Sequence, residues 1–381
     1  MKILSRFFVF LTGVLSLAVP VAAQEPPASF VTTLGEDTLV IERFHIGADS
    51  VNAEVLMRSP RTEFRKQVVF FNPDGSFREF RSAAFDPKNP SGHPLEEQIS
   101  SVVGDSITAT IHNDSLKSRK AFLYDPSLLP WIDMVHWPYE VATRIMIKNN
   151  ESAREQKMLT DRNLAVFTIK RLAPDSVSIK HPFRGTMYAK INEEGQILVF
   201  DATATTRKLM VKRGGSIDMQ ALATKYADRG IGALSGEGQT AASIQGARIL
   251  VTYGQPARRG RTLFGGIVPW DTVWRTGANR ATHFRTDKDL QFGTLAMPAG
   301  TYTLFSIPAP DGGMLIINTQ TGQNGNSYDT SRDLGRVPMK MKMNDENVEL
   351  FSIDVLEKDG KGTLQLKWSQ TIFEIPFEVV P

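Results

Sequence analysis

Apolar and polar residues alternate along most of this chain, and short turn sequences interrupt the alternation at regular intervals. Alternation with a period of two predicts strands at residues 37–44, 51–58 and 66–71, the last of which runs into the turn Asn72-Pro73-Asp74-Gly75. A similar turn recurs at residues 192–195. Turns at this spacing predict antiparallel strands in a sandwich or in an open, barrel-like sheet.

The end of the chain carries the same pattern. Leu364, Leu366 and Trp368 interleave with polar residues, as do Met339, Met341 and Met343. Because side chains alternate between the two faces of a strand, we expect both groups to lie in a core. The fold class predicted for the whole chain is therefore all-β, mainly antiparallel, with a few short helices.

Two segments depart from the alternation. Residues 128–146 indicate a helical or capping segment that Pro138 breaks, and residues 218–229 indicate a short amphipathic helix with Gly230 as its stop. The apolar stripe of the second helix is expected to pack on a sheet.

The chain predicts two domains, because 381 residues exceed the usual size of one hydrophobic core. Residues 230–246 are rich in Gly, Ala, Ser and Gln and lack hydrophobic periodicity, which is typical of a flexible linker. We therefore expect an N-terminal β-rich domain at residues 24–230, a linker at 231–246 and a C-terminal β-domain at 247–381.

The first residues indicate export. Lys2 and Arg6 precede an apolar run at residues 7–19, and small residues follow up to Ala23, where a signal peptidase is expected to cut. The run is shorter than the roughly 20 residues that span a bilayer, and no later segment is apolar for long enough. The chain contains no cysteine, so it cannot be a lipoprotein. We expect a mature protein that is periplasmic or secreted and has no transmembrane span.

The most unusual segment of the chain spans residues 253–305. Its motifs are Tyr253-Gly254-Gln255-Pro256, Arg258-Arg259-Gly260-Arg261, Phe264-Gly265-Gly266, Trp274-Arg275-Thr276-Gly277-Ala278-Asn279 and Pro298-Ala299-Gly300-Thr301-Tyr302. In this order they resemble the bacterial family named domain of unknown function 2911 (DUF2911). The resemblance covers roughly residues 246–381 and implies an exported β-domain, without implying an activity. The chain departs from the family pattern at Arg280, where members commonly carry Glu.

The same segment supplies the candidate ligand-binding residues. Arginine offers a fork of donors that suits carboxylates and phosphates, and tryptophan offers a broad apolar face, so together they suit a small anionic, amphipathic or sugar-like ligand. The alternative is structural: Arg275 ties loop carbonyls together and the tryptophans close one end of the β-domain. The candidate residues are Arg261, Trp270, Trp274, Arg275, Asn279 and His283.

Other chemistries find little support in the sequence. The six histidines show no spacing typical of a metal site, and neither a catalytic motif nor a cofactor-binding fingerprint stands in a supporting context. Loss of Lys2 and Arg6 lowers the formal net charge from +3 to +1, which does not favour nucleic-acid binding. The sequence favours a non-catalytic envelope protein that binds a small ligand or an unidentified envelope partner. The alternative is a hydrolase that uses His283 with an acid such as Asp271.

Overall fold

A computed structural model of the protein describes residues 25–113, 117–160, 163–358 and 360–381. Within these ranges the chain is dominated by antiparallel strands and has two α-helices, which confirms the predicted all-β fold class. The predicted signal peptide, residues 1–23, lies outside the described residues. We refer to residues 25–234 as the N-terminal region and to residues 235–381 as the C-terminal region.

The N-terminal region forms one large sheet of 15 strands. Its strands are β1 (Ala28–Leu34), β2 (Asp37–Ile46), β3 (Ser50–Met57), β4 (Glu63–Phe71), β5 (Phe77–Phe85), β6 (Glu96–Val103), β7 (Ser106–Asn113), β8 (Lys117–Leu123), β9 (Leu129–Pro130), β10 (Ala153–Leu159), β11 (Leu164–Ala173), β12 (Ser176–His181), β13 (Gly185–Ile191), β14 (Ile197–Ala202) and β15 (Leu209–Gly214). The spatial order starts at β8, descends through β7 to β1, continues with β15 and descends again to β9. Neighbouring strands are antiparallel except for β9 and β10.

The sheet curves around helix α1 (Trp137–Lys148). This helix contacts β2, in the middle of the sheet, and also β9 and β10, at one end of it. Its buried side chains, among them Trp137, Tyr139 and Met146, share one hydrophobic core with the inner face of the strands. A sheet that reaches one helix from such distant strands has a concave face.

Helix α1 begins differently from the prediction for residues 128–146. Pro138 lies in the first turn, where its missing N–H is not required, so it starts the helix rather than breaking it. The buried carboxylate of Glu42 on β2 accepts the main-chain N–H groups of His136 and Trp137 at 2.9–3.0 Å. A distant strand therefore caps this helix, which no local sequence pattern reveals.

Helix α2 (Met219–Tyr226) packs on the opposite face of the sheet, as predicted for an amphipathic stripe. Asp218 caps it by accepting the N–H groups of Gln220 and Ala221 at 3.0 Å. Met219 and Ala223 are buried against Ile41, Leu56 and Phe64. In the described part of the chain, neither helix has the length and apolar character needed to span a membrane.

The C-terminal region is a sandwich of two sheets. Its strands are β16 (Ser235–Ile244), β17 (Ala247–Pro256), β18 (Thr282–Thr286), β19 (Leu290–Phe292), β20 (Leu295–Met297), β21 (Gly300–Ala309), β22 (Gly312–Asn318), β23 (Asp333–Pro338), β24 (Lys340–Lys358) and β25 (Lys361–Val379). One sheet has the order β16-β17-β18-β21-β22-β23, and the other β20-β19-β25-β24. A short 3-10 helix at Thr330–Arg332 precedes β23.

The alternation at the end of the chain holds for one group and partly fails for the other. Leu364, Leu366 and Trp368 on β25 are buried in the sandwich core. Met339 is buried as well, but Met343 is 70% exposed. Met343 pairs with Thr371 and is the last residue of this stretch of β24 before its pairing with β25 shifts in register.

The predicted linker is mostly ordered structure. Residues 235–244 form strand β16, which pairs with β17 over its full length. The preceding residues are attached to the N-terminal region: Arg58 donates to the carbonyl oxygen of Arg229, and Ser59 to that of Gly232 at 3.0 Å. The segment predicted as a flexible linker therefore forms an ordered connection that is hydrogen-bonded to both regions. The division into two independently stable domains stays a prediction.

Candidate functional site

The candidate residues lie in a long loop, residues 257–281, between β17 and β18. The loop crosses the end of the first sheet so closely that a Cβ atom on Gly254 would lie 1.8 Å from the carbonyl oxygen of Ala278. Only glycine fits at this crossing point. The motif glycines thus allow the loop to lie directly on the sheet.

Hydrogen bonds fix the middle of this loop. Trp274 exchanges two main-chain hydrogen bonds with Ser306 on β21, at 2.7 and 2.9 Å. Thr276 is buried and its hydroxyl lies 2.9 Å from that of Ser306, while Thr282 donates to the Thr276 carbonyl. Arg275 lies between these anchored residues, so its backbone position is set by the sandwich.

The start of the loop contacts the N-terminal region. The turn between β1 and β2 packs on it: Glu36 donates its N–H to the carbonyl oxygen of Arg259 at 3.1 Å, and Asp37 forms an ion pair with the Arg259 guanidinium. A Cβ atom on Gly35 would lie 2.0 Å from the carbonyl oxygen of Arg259, so glycine is needed for this approach. Part of the arginine-rich motif therefore serves to join the two regions.

A cleft of about 470 Å³ lies between the two regions. It includes four of the six candidate residues: Arg261, Trp274, Arg275 and Asn279. The N-terminal region supplies the opposite wall through Met57, Asp133, Met134, Arg207 and Lys208. The structure thus brings these four residues together at one end of the sandwich.

Three cations in the cleft lack a carboxylate partner among the described residues. Arg261 donates to the main-chain carbonyls of Arg258 (2.9 Å) and Ala257 (2.5 Å). Arg275 donates to the carbonyl of Gly277 (3.3 Å) and to the side chain of Asn326 (3.0 Å). Lys208 reaches only the carbonyl of Thr203, at 3.5 Å.

Burial and mutual repulsion perturb these groups. Burial, followed by the positive charges of Arg261 and Arg275, lowers the pKa of Lys208. Burial lowers the pKa of Arg275. Burial together with the charge of Arg259 lowers the pKa of Arg261, and the carboxylates of Glu349 and Asp37 offset only part of this decrease. The cationic cluster, defined as Lys208, Arg261 and Arg275, is therefore electrostatically unfavourable without an anion.

The backbone around the cleft adopts a conformation that is unfavourable for most residues. Met134, Lys208 and Asn279 line the cleft with φ angles of 67°, 54° and 61°. Left-handed conformations of non-glycine residues are uncommon and cluster at functional sites. At Lys208 the turn is held by the buried hydroxyl of Thr205, which accepts the N–H groups of Arg207 and Lys208.

An aromatic wall borders the cationic cluster. The rings of Trp274 and Trp368 are nearly parallel, with centroids 6.0 Å apart, and both residues line the cleft. Phe351 packs edge-on against both rings. Sequence reasoning assigned Trp368 to the core, where it lies, but did not reveal that it also lines this cleft. The sequence did not indicate that Lys208 belongs to this cleft.

The other two candidate residues lie elsewhere. Trp270 stacks on Phe264, with ring centroids 5.7 Å apart, and its indole nitrogen lies against Gly265, where a Cβ atom would be 2.5 Å away. Trp270 thus packs within the C-terminal region and does not line the cleft between the regions. His283 lies on β18 and lines a separate cleft on the outer face of the sheet.

The arrangement does not bring His283 and Asp271 together. Asp271 donates its main-chain N–H to the carbonyl oxygen of Pro308 on β21, whereas His283 pairs with Thr303 on the same strand. At about 3.4 Å per residue, Thr303 and Pro308 are about 17 Å apart along β21. The Nε2 atom of His283 accepts the N–H of Gly322 at 2.9 Å, and burial lowers the pKa of the ring. The lone pair that a general base needs is thus already engaged.

Within the described residues, no three side chains of His, Asp or Glu approach one another closely enough to hold a metal ion. Arg280, at the position where the family commonly carries Glu, is exposed and forms a β-bridge with Asn324. It lines the same cleft as His283.

In comparisons with known proteins, a family model matches only the C-terminal part of the chain. A DUF1089 family protein from Pseudomonas aeruginosa has 9% identity and a TM-score of 0.31, over 43% of this chain and 90% of its own. A β-barrel-like protein of domain of unknown function DUF1849 from Brucella abortus has 9% identity and a TM-score of 0.31, over 50% of this chain and 97% of its own. No curated protein matches the sequence. Residues 235–377 match the model of the family described as "Protein of unknown function (DUF2911)", which confirms the resemblance predicted for the C-terminal region.

Proposed function

We propose that this is an exported, non-catalytic binding protein that holds a small amphipathic anion in the cleft between its two regions. The observation that carries the proposal is the cationic cluster of Lys208, Arg261 and Arg275, which has no carboxylate partner among the described residues. Cations taken partly out of water without a counter-ion are unfavourable, and an anionic ligand would offset that cost.

The unused donors agree with this ligand class. In the described part of the chain, the Nη1 atom of Arg261 and the Nη2 atom of Arg275 make no hydrogen bond. A phosphate, sulfate or carboxylate accepts hydrogen bonds from such guanidinium groups. The half-buried ring of Trp274, supported from behind by the buried ring of Trp368, then provides a surface for an apolar or sugar-like part of the same molecule.

Export is the second part of the proposal. It is supported by Lys2 and Arg6, the apolar run at residues 7–19 and the small residues up to Ala23. The absence of cysteine from the sequence argues against a lipid-modified N-terminus. Sequencing the N-terminus of protein recovered from a periplasmic extract is expected to give Gln24. Recovery only in detergent, with residues 1–23 attached, would contradict export by cleavage.

A fluorescence titration tests the cleft. We expect 2-naphthyl phosphate to quench tryptophan fluorescence on binding, and the uncharged 2-naphthol to bind at least about tenfold more weakly, because a hydrogen bond to a charged group contributes about 1.5–3 kcal/mol. Binding should weaken as NaCl is added. Mass spectrometry of small molecules retained by the periplasmic protein would then identify the natural ligand.

Two variants and a control locate the binding. Arg275→Ala and Lys208→Ala should each weaken binding of 2-naphthyl phosphate about tenfold or more with little change in thermal stability. Arg285→Ala, which removes an exposed arginine from β18 outside the cleft, should leave it unchanged. Equal affinity for 2-naphthol, or full affinity in Arg275→Ala, would rule out the anion site. If Arg275→Ala instead lowers stability strongly, the arginine has the structural role.

A further inference from the structure

A second cavity lies inside the concave sheet of the N-terminal region. Its volume is about 740 Å³, within the range of about 300–1,000 Å³ that is usual for small-molecule sites. One wall is formed by the inner face of β4 to β7, and the other by the segments around β9 and by the turn that follows β12. We call it the sheet cavity to distinguish it from the cleft between the regions.

The charges in the sheet cavity are balanced within its walls. Arg65 pairs with Glu63 and, at 2.9 Å, with Glu96. On the opposite wall Arg184 pairs with Asp133. Burial favours the neutral form of Asp133, but Arg184 and Arg207 hold its pKa below the usual value. Because each charge has its partner, this cavity does not require an ion.

Neutral polar groups in the same wall are incompletely satisfied. Gln67 is 3% exposed, and its Oε1 atom accepts the indole N–H of Trp137 at 2.9 Å. This bond fixes the orientation of the amide, and the Nε2 atom is left without a hydrogen-bond partner. An unpaired buried donor costs about 1–3 kcal/mol, so an acceptor atom from a ligand would be favourable here.

The neighbouring strands extend this polar surface. Ser82 lies directly opposite Gln67 on β5, and Gln98 lies directly opposite Ser82 on β6. The three side chains form a row across the wall, and amides and hydroxyls both donate and accept hydrogen bonds. Across the cavity, Trp131 and Phe183 offer aromatic surface.

From this arrangement we infer that the sheet cavity binds an uncharged, hydroxyl-bearing molecule of the size of a small oligosaccharide. Its hydroxyl oxygens accept the unpaired N–H of Gln67 and exchange hydrogen bonds with Ser82 and Gln98. The C–H faces of a sugar ring pack on the aromatic side chains opposite. This inference is independent of the anion site, since it depends on other residues and on the opposite charge balance.

Isothermal titration calorimetry of the full mature chain with neutral oligosaccharides tests the inference. The probes are maltotriose, cellotriose and N,N′,N″-triacetylchitotriose, with sodium dodecanoate as an apolar, charged comparison. We expect at least one trisaccharide to bind, with an affinity that does not change between 50 mM and 500 mM NaCl because no net charge is involved. Dodecanoate should not displace it.

Three variants locate the site. Gln98→Trp narrows the cavity from a half-buried position and should abolish trisaccharide binding. Gln67→Leu should weaken it about tenfold through the lost hydrogen bond, although the indole of Trp137 then loses its acceptor and the fold is destabilised. Gln239→Leu, an exposed glutamine of β16 in the other region, is the matched control and should bind normally.

The outcomes separate this inference from the anion site. Trisaccharide binding that survives Arg275→Ala but disappears in Gln98→Trp supports the sheet cavity. Absence of binding to all three sugars at millimolar concentration overturns it, as does a preference for dodecanoate. Sugar binding that is lost in Arg275→Ala and kept in Gln98→Trp would place the sugar in the cleft and would equally overturn it.

Discussion

The sheet cavity and the cleft between the regions meet at the same two residues, yet they balance their charges in opposite ways. Met57 and Asp133 line both. Asp133 forms ion pairs with Arg184, which lines the sheet cavity, and with Arg207, which lines the cleft. Beyond Asp133 the sheet cavity holds paired ions, whereas the cleft holds the unpaired cationic cluster of Lys208, Arg261 and Arg275.

This difference separates charges that stabilise the fold through ion pairs from charges that have no carboxylate partner among the described residues. A buried ion that is paired and hydrogen-bonded within its own region is part of the scaffold, and removing one member leaves the other uncompensated. Unpaired cations in a cleft contribute no such support, and strained backbone at Met134, Lys208 and Asn279 adds to the cost of this site. Stability and binding measurements should therefore respond to different residues.

The largest effect is expected at Glu140, a scaffold carboxylate of α1. Glu140 is fully buried, pairs with Arg144 at 3.0 Å and with Arg213, and accepts the N–H of Ile197. Glu140→Ala should lower the free energy of unfolding by about 3–5 kcal/mol, measured by urea denaturation, because Arg213 loses its carboxylate partner, Arg144 keeps only Glu25, and the N–H of Ile197 loses its acceptor. Glu193→Ala, in an exposed turn, should change it by less than about 0.5 kcal/mol. If Glu140→Ala lowers the free energy of unfolding by less than about 1 kcal/mol, the paired buried ions do not stabilise the fold more than the cations of the cleft do.

Much of this scaffold could be predicted from the sequence, because alternation and turns are local signals. Strands over 37–44, 51–58 and 66–71 appear as β2, β3 and β4, with ends that differ by a few residues. The linker prediction failed at residues 235–244, since small polar residues form a strand when a neighbour such as β17 provides its hydrogen bonds. Composition alone does not report that neighbour.

The site was predictable only where its residues are close in sequence. Arg261, Trp274, Arg275 and Asn279 share one loop, so a single unusual segment pointed to all four. Lys208 arrives from the turn between β14 and β15 of the other region, and no pattern around it indicates a cleft. Trp270 shared the composition of the motif but packs on Phe264. Residue type indicated the chemistry, while long-range contacts decided which residues take part.

His181 gives the next largest effect, through pH. It is buried beside the sheet cavity, and burial, followed by the charge of Arg184, lowers its pKa to about 4 from the usual value of about 6.5. A lowered histidine pKa means that the unfolded state binds the proton first. The free energy of unfolding should therefore fall by roughly 1–3 kcal/mol as the pH decreases from 7 to 4. The contribution of His181 to the free energy of unfolding is complete above about pH 6.5 and is lost as the pH falls towards 4.

Replacement of His181 separates this effect from the carboxylates. His181→Phe should flatten the decrease between pH 6.5 and 4, because phenylalanine keeps the contacts with Trp131, Phe167 and Phe183 but does not titrate. Thermal melts across the pH series give the measurement. The same slope in His181→Phe and in the wild type would assign the pH dependence to other groups.

A smaller effect is expected at Asp133, where the two sites meet. Asp133→Asn removes the negative charge that compensates Arg207, so the cleft becomes more positive. We expect 2-naphthyl phosphate to bind about threefold more tightly at low salt, since a charge near the binding site contributes on the order of 1 kcal/mol. The increase should vanish at 500 mM NaCl. Unchanged affinity at low salt would mean that the charge of Asp133 is not felt at the anion site.

The smallest effect concerns the contact that holds the two walls of the cleft together. Asp37 pairs with Arg259, but the main-chain bond from Glu36 to Arg259 remains when that ion pair is removed. Asp37→Asn should therefore cost less than about 1 kcal/mol of stability, as is usual for a partly exposed ion pair. Because the cationic cluster is assembled from both regions, even slight loosening separates Lys208 from Arg261 and Arg275, and affinity for 2-naphthyl phosphate should fall about twofold. Trisaccharide binding in the sheet cavity depends on the N-terminal region alone and should not change. A parallel loss at both sites would indicate that Asp37 acts on the N-terminal fold itself rather than on the contact between the regions.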